Sequence, residues 1–401
     1  MTLDTSSFPA YLRSLNLTTP VVTQAGRIVG GPPAIVLDLA LKLGLGPLIF
    51  DTPRNRTLLA NVGIPPEITA LAARRLRTRS AWRAAWEELV APHLTALDEA
   101  KARGDNEQTG CEARLALALL GMAYGGDGYY FHTPMRERRK VLPLAEKLYH
   151  LLREATGERV EHLVFSHAHG STAGLLHFPA HHNSQMRWPA LVAFHAIAGD
   201  KHSFDNTLSL FREAGYATFC VDLPRHGESF DGPGLQPDDE IIGAAALDVL
   251  AAHPAIAPER LGVMGGSLGA FWALRTASAS PRVKACLAYC SPFDIGLGLP
   301  EAVFGIRDHF VWTLAAPSFR AAYELAKPFH LRDAVPRIQC PIRLVHGTQD
   351  HICNFTASYE IARRATAPVS VYPLVGVDHE AAQPSTPALA GPGIEWLKQN
   401  M

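Results

Sequence analysis

Arg260-Leu-Gly-Val-Met-Gly-Gly-Ser-Leu-Gly269 is the stretch on which the fold turns. Leu261 to Met264 reads as a short buried strand and Leu268 to Ala279 as an apolar helix, so Gly265-Gly-Ser267-Leu-Gly269 lies on the reversal between them. A reversal that sharp holds the central serine in a strained conformation that bulky neighbours would clash with, and Gly265 and Gly269 supply the room. It exposes the Ser267 hydroxyl as a nucleophile. It also aims the backbone N–H of Leu268, at a helix N-terminus, toward a developing oxyanion.

Working outward, short apolar runs alternate with helical ones after residue 158. Val160 to Phe165 and Gly174 to Phe178 predict a hairpin around His169-Gly170. Further strands are expected at Ala190 to Phe194, Ala217 to Asp222, Val283 to Tyr289, Ile342 to Val345 and Val369 to Leu374. Two antiparallel leading strands followed by strand-helix repetition with continuously hydrophobic strands predict an α/β fold, a mostly parallel sheet covered on both faces. Ligands of such sheets collect at the carboxyl ends of the strands.

Up to about Ala155 the periodicity is helical instead, which predicts a helical N-terminal domain over 1–155 and a catalytic domain over 156–401. Trp82, Trp86, Leu89, His93 and Leu97 share one face of a predicted helix and read as a packing stripe, with Pro92 expected to kink it. Arg74 to Arg79 reads as a solvated basic face. The loop Tyr124-Gly-Gly-Asp-Gly-Tyr129-Tyr130-Phe131 is aromatic and glycine-rich; it is either a substrate-facing loop, through Tyr129 and Tyr130, or a packed connector.

A serine hydroxyl needs a base, and the base works best when a carboxylate fixes its tautomer. In this architecture the chain order is serine, acid, histidine. Ile342 to Gly347 runs into Thr348-Gln-Asp350, and Val369 to Leu374 runs into Gly376-Val-Asp378-His379, so Asp350 and His379 fit the order. Asp294 and Asp333 are the rival acids, and Asp378 reads as capping or solvating the loop. Of the 18 histidines, His379 alone follows the last strand and precedes a final helix. A second oxyanion N–H is expected after the strand ending at Phe194, from Ile197 with Ala196 next. His195 either contacts substrate or braces that loop. Asp222-Leu-Pro-Arg-His-Gly-Glu-Ser229 is assigned shape and not chemistry.

Composition bounds the partners. The 401 residues are 47% hydrophobic and 19% charged with a net charge of −1, an ordinary globular balance that offers nothing to nucleic acid. The start lacks a basic region followed by an apolar core, and no run approaches the roughly 18 apolar residues of a membrane span, so a cytoplasmic enzyme on a small-molecule substrate is expected. The six cysteines read as buried thiols and not as a disulfide framework or zinc site. No cofactor or metal is expected. Whether the helical domain covers the active site, forms a homodimer surface, or does both stays open.

Phe194-His-Ala-Ile-Ala-Gly-Asp-Lys201, Asp222 to Ser229, Gly265 to Gly269, His346-Gly-Thr-Gln-Asp350 and Val377-Asp-His379, in this order, resemble an α/β-hydrolase over about residues 160 to 400. The preceding helical domain resembles the branch that includes the fermentation-respiration switch protein, 2,6-dihydroxypseudooxynicotine hydrolase and fungal polyketide-shortening hydrolases. The resemblance implies a cap-like segment at 292–336 and an acyl-enzyme mechanism on an ester or on a carbon–carbon bond beside a ketone. It also implies that Glu301 or Asp294, if it sits in the cap near substrate, helps protonate a leaving carbon; the other reading is a surface carboxylate. One departure stands out: His195-Ala196 replaces the His-Gly or Gly-Gly common in the superfamily. Two other classes compete. One is a non-catalytic regulatory binding protein. The other is a metalloenzyme using His167, His169, His177, His181 and His182, which lack an interleaved carboxylate.

Overall fold

The computed structural model describes residues 34–125, 135–180, 187–302 and 304–401. They form two compact units, one of residues 159–302 and 310–401, the other of residues 34–158 with 304–309.

The first unit is built on one eight-stranded sheet in the order β1-β2-β4-β3-β5-β6-β7-β8. Its strands are β1 (Val160–His167), β2 (Gly170–His177), β3 (Trp188–Phe194), β4 (Ala217–Val221), β5 (Ile256–Gly266), β6 (Val283–Tyr289), β7 (Ile342–Gly347) and β8 (Val369–Leu374). The leading hairpin is antiparallel, β2 runs antiparallel to β4, and every pairing from β4 through β8 is parallel. Every residue of β3, β4 and β7 is buried, because helices cover both faces and leave no polar side to alternate with. Strand residues Leu191, Ala193, Met264, Leu287 and Tyr289 pack with Phe211, Ile394 and Leu397 from flanking helices and with Tyr216 just before β4.

The register sets up the functional edge. Phe194 lies opposite Gly265, Gly266 opposite Tyr289, Tyr289 opposite Val345, and Gly347 opposite Leu374. The loops after β3, β5, β6, β7 and β8 therefore leave the sheet at one level and on one side. The predicted strands recur with small changes of length. The largest is in β5, which begins at Ile256, five residues before the expected Leu261. Its exposed Glu259 and Arg260 hide the strand from a hydrophobicity reading, and a register shift at Leu261/Gly262 lets it continue past them. Between β6 and β7 the chain forms short helices, among them Ile295–Gly298, Phe304–Thr313 and Phe319–Ala326.

In the second unit, helix Trp82–Arg103 packs along helix Asn106–Gly125, and helix Leu142–Thr156 joins them. Trp82, Trp86, Leu89 and Leu97 are buried, as a packing stripe requires, and Phe50 meets Trp82 edge-on with ring centroids 5.1 Å apart. The Trp82 indole donates to the Met122 carbonyl at 2.7 Å, which ties the two long helices together. The first of them continues through Pro92 without ending there. Tyr124, expected to open an aromatic loop, is instead buried near the end of its helix, with its hydroxyl on Glu87. Arg74, Arg75 and Arg77 are exposed, as a solvated face should be.

Candidate active site

Ser267 joins β5 to helix Leu268–Ala279 at φ 57° and ψ −120°, a left-handed-side backbone that a non-glycine residue adopts only when its surroundings impose it. The imposing contacts are close. A Cβ on Gly265 would stand 2.3 Å from the Gly269 backbone, and one on Gly269 would stand 1.9 Å from the Phe194 carbonyl oxygen. The Ser267 N–H is tied to the Tyr289 carbonyl at 2.8 Å, which pins the turn to the end of β6. Its side chain is buried but for 8% of its surface.

The loops after β7 and β8 are stitched together, and that brings acid and histidine into contact. Thr348 N–H bonds the Leu374 carbonyl at 3.0 Å, Gln349 N–H bonds the Val377 carbonyl at 3.0 Å, and Gly376 N–H bonds Thr348 Oγ1 at 2.9 Å. Gly347 must be glycine here, since a Cβ would lie 2.4 Å from the Val377 oxygen. Asp350 then accepts the Ile352 and Cys353 N–H groups on Oδ1 at 2.9 and 2.8 Å, and His379 Nδ1 on Oδ2 at 2.6 Å. Burial alone would neutralise that carboxyl; the charge of His379 and the hydrogen bonds from His346 and His379 outweigh it and hold Asp350 far below the usual carboxylate range. Burial likewise opposes the His379 cation, but the Asp350 charge and hydrogen bond prevail and push His379 up to about 9. Asp378 caps the loop through the Ala381 N–H at 3.0 Å, as expected.

Among the described residues the Ser267 hydroxyl makes no hydrogen bond to His379; the Cys353 thiol is the group beside it. Such contacts are often long before substrate binds and tighten afterwards. The backbone N–H groups of Leu268, Ile197 and Ala196 have no acceptor among the described residues, so each is free to donate to an oxyanion.

The loop after β3 is held from behind. His195 is 0% exposed, its Nδ1 donates to the Ala196 carbonyl at 2.8 Å, and its Nε2 accepts the Leu223 N–H at 3.1 Å. Both ring nitrogens are thus bonded to backbone, the arrangement that the bracing alternative describes. His226 adds a bond from Nε2 to the Ile197 carbonyl at 2.8 Å. Beneath them lies a buried ion pair that sequence reading missed. Lys201 Nζ sits 2.8 Å from Asp222 Oδ2 and 2.8 Å from Glu228 Oε1, and Asp222 also accepts the Lys201 and Glu228 N–H groups. Burial disfavours the ammonium, yet the two carboxylates hold it protonated well above the usual lysine range. The assignment of Asp222 to Ser229 to shape fits this bracing.

The rival acids lie elsewhere in their bonding. Asp294 caps the Leu297 N–H at 2.9 Å and pairs with Arg332, and Asp333 is exposed. Glu301 ends a short 3-10 turn whose backbone alone is described, while Tyr129, Tyr130, His181 and His182 lie outside the described residues. His169 is paired with Asp239 at 2.8 Å, and it does not join His167 and His177 as ligands of one ion. Among the described residues the metal-like grouping is Cys290, Asp350 and His379, whose donor atoms lie within 4.8 Å of one another. It does not suit an ion. Ligand atoms around a tetrahedral metal stand roughly 3.3–3.8 Å apart, whereas Nδ1 and Oδ2 are 2.6 Å apart across a shared proton. Burial also pushes the Cys290 thiol far up and keeps it protonated. Five of the six cysteines are buried free thiols, and Cys111 is an exposed one.

Residues 189–325 match the family described as the alpha/beta hydrolase fold. The chain is similar to 2,6-dihydropseudooxynicotine hydrolase of Paenarthrobacter nicotinovorans, 25% identical over 41% of this chain and 45% of that protein. It is also similar to hydrolase LUC6 of a Fusarium species, 31% identical over 53% of this chain and 52% of that one. The matched stretches thus span about half the length of these curated relatives. The solved 2,6-dihydroxy-pseudo-oxynicotine hydrolase superposes with a TM-score of 0.72 at 20% identity, over 86% of this chain and 95% of that one, a likeness of fold.

Proposed function

We propose that this chain, whose residues 189–325 match the alpha/beta hydrolase fold, is a serine hydrolase acting on a carbonyl substrate, a carboxylic ester first of all, through Ser267, His379 and Asp350. The observation that carries this reading is the buried 2.6 Å bond between His379 Nδ1 and Asp350 Oδ2, on the sheet edge that also presents Ser267. That bond leaves Nε2 of His379 as the ring nitrogen able to take a proton.

In this reading His379 Nε2 removes the Ser267 proton as Oγ attacks the carbonyl carbon. The oxyanion accepts the Leu268 and Ile197 N–H groups. Collapse expels the leaving group, which takes the proton from His379, and His379 then deprotonates the water that releases the acyl group and restores Ser267. No cofactor enters. A carbon–carbon bond beside a ketone would break through the same oxyanion, with carbon as the protonated leaving atom. The free state of all six cysteines accords with a cytoplasmic setting, and no described helix is long and apolar enough to cross a membrane.

The test is turnover of aryl esters of graded size and of β-diketones, with Ser267→Ala as the blank and a fluorophosphonate probe on both proteins. Ester turnover and labelling that vanish in the variant support the ester reading. Diketone cleavage with weak ester turnover moves the assignment to carbon–carbon hydrolysis. An unlabelled wild-type protein would instead make it a binding protein.

A further inference from the structure

Asp350 has a second imidazole behind it. His346, the penultimate residue of β7, is 0% exposed, and its Nε2 lies 2.7 Å from the Cys353 carbonyl oxygen. A carbonyl only accepts, so Nε2 carries a proton. The same nitrogen stands 3.2 Å from Asp350 Oδ2, the oxygen that holds His379. On the far side Nδ1 faces Ser358 Oγ at 2.7 Å, and Phe355 packs edge-on at 5.5 Å, so the ring cannot flip without losing both partners. The turn from Asp350 to Cys353 is closed from two directions: the Cys353 N–H goes to Asp350 Oδ1, and its carbonyl takes the His346 proton.

We propose that His346 is a positioning residue that shares its Nε2 proton between the Cys353 carbonyl and Asp350 Oδ2, and so sets how firmly Asp350 holds His379. The inference rests on the serine-hydrolase reading for its kinetic consequence, though not for its geometry. A donor on Oδ2 draws charge away from the bond to His379. Its removal leaves more charge on that oxygen, which holds the His379 proton more tightly and moves the acid limb of kcat/KM to higher pH. The turn also loosens, which lowers kcat. KM is spared, because a residue with no exposed surface does not touch substrate. The other groups acting on this pair are the Cys290 and Cys353 thiols beside Asp350 and the Asp378 and Glu380 carboxylates beside His379, all unchanged by the substitution.

His346→Leu and His346→Gln test it, since glutamine places an N–H close to where Nε2 stood. In the leucine variant kcat falls about tenfold to a hundredfold, as for ångström-scale misplacement; KM holds, and the acid limb rises. The glutamine variant recovers most of both. The far-downfield proton resonance of the His379–Asp350 bond, read without substrate, shifts in the leucine variant and returns in the glutamine one. A folded leucine variant with an unmoved resonance and an unmoved acid limb overturns the proposal. Should that variant fail to fold, Ser358→Ala, which removes the Nδ1 partner, gives a smaller shift of the same sign, and no shift there overturns it too. Wild-type turnover that survives Ser267→Ala would sink the serine-hydrolase reading, while the resonance would still judge His346.

Discussion

The two halves of the candidate site are built to different degrees of completion. On the acid side every polar atom of Asp350 is taken, with two backbone N–H groups on one oxygen and two imidazoles at the other. On the serine side, among the described residues, the Ser267 hydroxyl makes no hydrogen bond to His379 and the Leu268 and Ile197 N–H groups have no acceptor. The difference follows the chemistry. In the proposed mechanism the orienting contacts persist through every step and are closed in advance, while the contacts that change during reaction are left for substrate to complete.

The sharpest way to break that contrast is Ser267→Ala, expected to lower kcat by up to about a millionfold with no loss of folding. Steady-state assays paired with circular dichroism would check it. Asp350→Asn attacks the closed side; it keeps the shape but disturbs the tautomer of His379, and kcat should fall by roughly ten-thousandfold. Loss confined to KM in either variant would contradict the division of labour. Lys201→Met tests the bracing beneath the oxyanion loop: it leaves Asp222 buried and unpaired, a change that costs about 3–5 kcal/mol of stability in urea unfolding.

The pH dependence separates the two sides with the gentlest perturbation. The proposed mechanism requires neutral His379, so kcat/KM should climb as pH rises toward about 9, the value to which Asp350 pushes it. Stability runs the other way. The contribution of raised His379 is fully present below its unfolded value of about 6.5 and is lost as pH climbs through its folded value. The contribution of Asp350, whose folded value is depressed, is present above about 3.9 and lost as pH falls below it. Melting temperatures across pH should therefore decline over the range in which turnover improves.

How much was legible beforehand depended on the range of the interaction. β3 stands out as a continuous apolar run and β6 as one broken only by Lys284, and Ser267, Asp350 and His379 are placed by short motifs at strand ends in a known order. The polar Glu259 and Arg260 concealed the start of β5. Lys201 and Asp222, twenty-one residues apart, and His346 with its partners on the following turn, left no local pattern. The Lys201–Asp222 contact exists only once β3 and β4 are in register, and the His346 contacts only once the chain after β7 folds back on the end of its own strand. His195 showed the reverse limit: its place beside the oxyanion loop could be read, but whether it faced substrate or backbone required its hydrogen bonds.

A Cβ at Gly269 would stand 1.9 Å from the Phe194 carbonyl oxygen, which carries a lesson for anyone who would re-engineer this protein. The helix that follows Ser267 rests directly on the peptide from which the loop after β3 departs, so no side chain can be interposed between them. Libraries aimed at new substrates should hold positions 265, 269 and 347 constant and spend their diversity on rim residues, where a change of shape does not propagate into the reacting centre.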